Sequence, residues 1–85
     1  MKSFEYTVAD EVGIHARPAG VLAKEAKKYA STITITKDGK SAVATKLMAI
    51  MALGVKCGQT VTVTIEGDDE DTAYADIKAF FEANF

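Results

Sequence analysis

The sequence predicts a two-layer α+β domain in which a four-stranded antiparallel sheet carries three helices on one face, in the order βαββαβα. Three observations lead there. The segments Thr32-Ile33-Thr34-Ile35-Thr36 and Thr60-Val61-Thr62-Val63-Thr64-Ile65-Glu66 alternate polar and β-branched apolar residues, the period of a strand with one face buried. After Pro18 the apolar residues Ala19, Leu22, Ala23, Ala26 and Ala30 recur at helical spacing. Between the two halves, Lys37-Asp38-Gly39-Lys40 carries the Asp-Gly signal of a hairpin turn.

The elements follow in order. Phe4-Glu5-Tyr6-Thr7-Val8 alternates and reads as the first strand, ended by the loop Asp10-Glu11-Val12-Gly13. The first helix begins just after His15, with Pro18 in its first turn, where a missing N–H costs nothing. Residues 32–36 form the second strand and residues 41–44 return antiparallel after the turn. Residues 47–53, Leu-Met-Ala-Ile-Met-Ala-Leu, are helix formers stopped by Gly54. Residues 60–66 make the fourth strand. Gly67-Asp68-Asp69-Glu70-Asp71 places acidic groups at the positive end of a last helix that turns Ala73, Ile77, Phe80 and Phe81 inward.

A chain of 85 residues is expected to form one domain, 1–85, since one core this small buries only about 60–65% of the unfolded surface. Composition narrows the classes further. The longest apolar run, residues 47–53, is far short of the roughly 20 residues of a membrane span. Ten basic against twelve acidic side chains leave no excess to hold a nucleic-acid backbone. The single cysteine, Cys57, forms no internal disulfide and reads as a loop residue, and the first residues lack the apolar stretch of a signal peptide. A cytoplasmic monomer is expected, with no metal and no cofactor.

The only histidine, the only arginine and the only proline stand together in His15-Ala16-Arg17-Pro18. A helix N-terminus offers unpaired backbone N–H groups and partial positive charge, and so favours an anion. Arg17 adds a planar fork of donors suited to phosphate oxygens, while Gly13 lets the loop fold the imidazole over the helix end. An imidazole lone pair in such a pocket can attack a phosphoryl donor, which makes His15 itself a candidate for phosphorylation. The residues alone also fit a plainer reading, a surface histidine at a helix edge beside a solvated arginine. Hydrolytic chemistry is disfavoured, because the loop adds only Asp10 and Glu11 to the single histidine.

Gly13-Ile14-His15-Ala16-Arg17-Pro18-Ala19 resembles the active-site signature of the HPr family, the histidine-containing phosphocarriers of the sugar phosphotransferase system. The similarity spans the chain: Gly39-Lys40-Ser41, Leu53-Gly54 and Glu66-Gly67 stand where that family has them, and the length matches. The resemblance implies an open-faced β-sandwich and a carrier rather than an enzyme. His15 would accept a phosphoryl group on its δ1 nitrogen from phosphorylated enzyme I, ultimately from phosphoenolpyruvate, and donate it to IIA domains of sugar permeases. Ala16 and Arg17 would bind the phosphoryl group, with Arg17 as its clamp. Partners would dock on the first two helices, at Ala16, Arg17, Gly20, Lys24 and Lys27 with Leu47, Met48 and Met51. The all-round apolar character of residues 47–53 agrees, being more than a short helix buries in a small core, and places Met48 and Met51 at an adaptable exposed surface.

Two positions depart from the family pattern. Where the family usually has a small polar residue this chain has Val12, which has no oxygen to cap the loop. The regulatory serine that opens the second helix is replaced by Lys46, preceded by Thr45. Two other readings remain: a paralogue serving a regulatory or nitrogen-related phosphotransfer chain, and a noncatalytic α+β interaction module with His15 unmodified.

Overall fold

The structure, a computed structural model, describes residues 1–85. Its elements are β1 (Lys2–Thr7), α1 (Ala16–Ala26), β2 (Thr32–Lys37), β3 (Lys40–Val43), α2 (Leu47–Ala52), β4 (Thr60–Glu66) and α3 (Glu70–Asn84). The strands pair antiparallel in the order β1-β4-β2-β3.

Alternation along the strands sorts side chains between two faces. Phe4, Ile33, Ile35, Ala42, Val61, Val63 and Ile65 point into one core with Leu22, Ala26, Ile50, Ala73, Ile77 and Phe81 from the helices. The opposite face is open and hydroxyl-rich: register aligns Ser3, Thr64, Thr34 and Val43 in one row and Glu5, Thr62, Thr36 and Ser41 in the next. Hydroxyls bond across strands at Thr7–Thr60 (2.8 Å) and Thr36–Ser41 (2.9 Å). Asp38 (φ 51°) and Gly39 (φ 81°) both adopt the left-handed region, which gives the two-residue β2–β3 hairpin the primed turn that matches strand twist.

Among the departures from the sequence expectation are three element boundaries and one core position, each set by tertiary contacts. The first strand runs over Lys2–Thr7, and Val8 follows it as a buried residue whose amide donates to the Gln59 carbonyl and whose carbonyl accepts from Gly58 N–H. The third strand ends at Val43, while Ala44 is buried and donates to the Ile33 carbonyl at 2.8 Å. Helix α1 stops at Ala26 instead of continuing to Ala30. Lys28 and Tyr29 tighten to i−3 carbonyls, and the Asp69 carboxylate then takes the N–H groups of Ala30 and Ser31, both at 2.9 Å, so they are lost to the helix. On α3, Phe80 is only half-buried, and the innermost aromatic contact is Phe81 against Phe85 at 5.1 Å.

Two long-range tethers fix the helical layer. The Tyr29 hydroxyl donates to Asp76 of α3 at 2.7 Å, and burial together with that bond pushes its phenol up to about 12. Lys37 Nζ donates to the carbonyls of Leu53 and Gly54 at 3.2 and 3.1 Å, satisfying the C-terminal end of α2 with a cation where the helix dipole favours one.

Candidate functional site

His15 is the N-cap residue of α1, in extended conformation (φ −118°, ψ 173°), and its carbonyl accepts from Ala19 N–H at 3.0 Å. Its side chain caps nothing, so the ring is free of the helix it precedes. The next two amides, Ala16 and Arg17, donate to no other group of the chain, and Pro18 has no N–H. The start of α1 therefore presents two open donors, no acidic residue in its first turn, and one imidazole beside them. Arg17 is exposed and enters no ion pair within the chain, leaving its guanidinium unengaged.

The loop before the helix is held from two sides. Ile14 is buried, and its amide donates to the Val55 carbonyl at 3.1 Å. Gly13 (φ +80°) packs against the same strip of backbone: a Cβ there would collide with the Val55 oxygen and lie 2.8 Å from Lys56 Cα. A glycine is required here on both counts. The loop that carries His15 is thus seated on the segment joining α2 to β4.

Asp10, which the sequence offers only as one of two loop acids, is brought beside the histidine by the fold. Its Oδ1 accepts the Val12 amide at 2.9 Å, and its Oδ2 lies 3.9 Å from His15 Nε2. The signal was legible in part, since an aspartate bonding the amide two residues on is a turn-forming arrangement. The missing side-chain oxygen of Val12 is in this way offset by a carboxylate from earlier in the loop, and Val12 itself points to solvent with 67% exposure.

On α1, Arg17, Val21 and Lys24 fall along one exposed stripe that Lys28 extends in the turn beyond, with Gly20 half-buried beside it and the C-cap Lys27 exposed. Val21 is an omission from the sequence reading: an exposed apolar residue one turn after Arg17. On α2 the two methionines part company. Met48 is 79% exposed, whereas Met51 is half-buried and, like Leu47, packs against the core beside Ile50. The expectation of an exposed Met51 is corrected: it lies about 60° round the helix from Met48, on the side that packs against the core. Lys46 is the exposed N-cap of α2, in extended conformation with no side-chain cap, and Thr45 is half-buried just before it.

Known proteins match nearly the whole chain. The family model described as "PTS HPr component phosphorylation site" matches residues 2–83. The chain is 44% identical over 78 residues to phosphocarrier protein HPr of Mycoplasma capricolum subsp. capricolum, covering 92% of this chain and 88% of that protein. To phosphocarrier protein HPr of Mycoplasma genitalium it is 39% identical over 85 residues, covering 99% and 97%. Among solved structures, HPr-C-His from Thermoanaerobacter tengcongensis superposes with a TM-score of 0.91 at 37% identity, over 98% of this chain and 93% of that one.

Proposed function

The chain belongs to the HPr family of phosphocarriers of the phosphotransferase system, and we propose that His15 is its phosphoryl acceptor and donor. It is a carrier, and not an enzyme that turns over a substrate of its own. One observation carries the assignment of His15: the chain's only histidine stands at the start of α1, next to two backbone donors without partners and an arginine without an ion pair. A phosphoryl group on the ring would find its charge met by the Ala16 and Arg17 amides, by the helix dipole and by the Arg17 fork. These are interactions that a phosphorylated ring makes and a free one does not.

In this reading phosphorylated enzyme I is the donor and IIA domains of sugar permeases are the acceptors. The chain works in the cytoplasm as a monomer, and no helix is long and apolar enough to cross a membrane. Arg17 and Lys24 on α1, with Lys27 and Lys28 at its C-terminal end and Glu25 as the one acidic group among them, make this face basic, which favours partners with acidic docking surfaces and speeds encounter. Ala16, Gly20 and Met48, with the half-buried Leu47 and Met51 beside it, complete the docking area.

The test is incubation with enzyme I and labelled phosphoenolpyruvate. The wild-type chain takes up label in acid-labile, base-stable form. His15→Ala takes up none while remaining folded, with stability changed by about 0.5 kcal/mol or less, because the ring is half-exposed and caps nothing. Label on His15→Ala would remove the assignment.

A further inference from the structure

We propose that Asp10 is a positioning residue for the His15 reaction, holding the imidazole proton on Nε2 and so leaving the Nδ1 lone pair as the nucleophile. The inference rests on His15 being the phosphoryl acceptor. It starts from how firmly Asp10 is placed. Its amide donates to the Phe85 carbonyl at 2.8 Å, its carbonyl accepts from Gly13 N–H at 2.9 Å, and Oδ1 accepts from Val12 N–H at 2.9 Å. Backbone and carboxylate are both pinned, and Oδ2 is the oxygen left over. That oxygen faces the ring at 3.9 Å, and the nitrogen it faces is Nε2. No lysine or arginine pairs with Asp10, so its charge is undivided.

A neutral imidazole carries one proton on one of two nitrogens, and a carboxylate beside one of them favours the proton there. The separation is longer than a hydrogen bond, a range at which charge attraction acts directly or through one water. With Nε2 protonated, Nδ1 attacks phosphorus with its lone pair. The Nδ1–P bond forms, the donor's bond to phosphorus breaks, and that electron pair leaves with the donor atom. The Nε2 proton stays in place, so the phosphorylated ring is cationic, and Asp10 faces the positive edge. In the onward step the ring departs from phosphorus as a neutral imidazole, which makes the protonated form the better donor. Asp10 thus serves acceptance and donation alike.

Two substitutions separate this role from loop architecture. Asp10→Asn keeps an oxygen for the Val12 amide and removes the charge, while its NH2 group, if turned to the ring, favours a proton on Nδ1. Asp10→Ala removes the loop bond and the charge together. The nitrogen-15 shifts of the His15 ring, read near pH 8 where an ordinary imidazole is neutral, report the tautomer. The expected result for Asp10→Asn is an unchanged fold, a smaller Nε2–H population and phosphoryl uptake from enzyme I slowed about tenfold or more. Wild-type ring shifts and wild-type uptake in Asp10→Asn would overturn the proposal, whatever Asp10→Ala does. Failure of the underlying assignment is seen separately, as a wild-type chain that stays unlabelled, and the proposal falls with it.

Discussion

Gly13 and Val55 are in direct backbone contact: the strip of chain at Val55 occupies the space that any side chain at Gly13 would need. The contact joins the loop bearing His15 to the α2–β4 connection, and the Ile14 amide bonded to the Val55 carbonyl repeats the tie one residue on.

Gly13→Ala is therefore expected to lower stability by about 1–3 kcal/mol, combining a left-handed backbone with a collision against main chain that cannot yield. Urea unfolding measures the loss. Phosphoryl uptake should fall beyond what the unfolded fraction explains, because the loop must lift away from Val55; uptake in proportion to the folded fraction would show that the loop position does not matter.

For Arg17→Lys the expected outcome is a slower carrier with its acceptor intact. An ammonium keeps the charge and loses the bidentate fork. Loss of one charge-assisted bond, about 1.5 kcal/mol, corresponds to about a tenfold slower transfer. Rapid-quench kinetics with phosphorylated enzyme I would read it, and unchanged rates would show that Arg17 is not the clamp.

The two methionines of α2 should separate docking from folding. Met48→Glu puts a charge at a 79% exposed position, so binding to enzyme I weakens by about 1–2 kcal/mol in calorimetry while the unfolding midpoint stays put. Met51→Glu places the charge against the core and lowers the midpoint as well. Unchanged binding in Met48→Glu would move the docking surface elsewhere.

Acid should loosen the clamp between Asp69 and Ser31. The Ser31 hydroxyl first, then the Ala30 and Ser31 amides, hold the Asp69 carboxyl below the usual carboxylate range, against a smaller opposing effect of burial. A folded-state value below the unfolded one means the contribution is complete above about pH 4 and is lost as pH falls through the folded value. In urea titrations, the stability gap between wild type and Asp69→Asn should be constant near neutrality and narrow steadily below about pH 4. A gap that does not change with acid would show that the carboxylate charge is not what holds the α1–β2 turn.

Lys46 offers no hydroxyl at the head of α2, and Thr45 lies before the cap and half-buried. No phosphate should appear at either residue after incubation with an ATP-dependent HPr kinase, and no phosphoserine-dependent binding to a catabolite-control repressor should follow. Mass spectrometry decides it, with stoichiometric phosphate on Thr45 as the contrary result. Lys46→Ser should raise stability by about 0.5–1 kcal/mol, since a cap oxygen replaces a cation at the positive helix end.

The sequence by itself determined what depends on neighbours along the chain. Alternating threonine with valine or isoleucine specifies one-faced strands at residues 32–36 and 60–66, Asp38-Gly39 specifies the hairpin, and apolar spacing specifies α1 and α3. The cluster of His15, Arg17 and Pro18 at a helix start is equally local, which is why the candidate site is legible in the sequence. Tertiary structure alone decided what depends on residues far apart. Asp69 ends α1 early by taking amides 38 and 39 positions away. The choice between Met48 and Met51 as the exposed side chain follows from how α2 rolls on the sheet and α1. The strand order β1-β4-β2-β3 and the seat of the Gly13 loop on Val55 likewise arise only when distant segments meet. Asp10 lies between the two cases: its bond to the Val12 amide is a local turn, but the direction of its second oxygen toward Nε2 is set once Phe85 and Val55 have fixed the loop on either side. Periodicity records which face of an element is buried; it carries no record of which distant donor or acceptor will compete for the backbone at its ends.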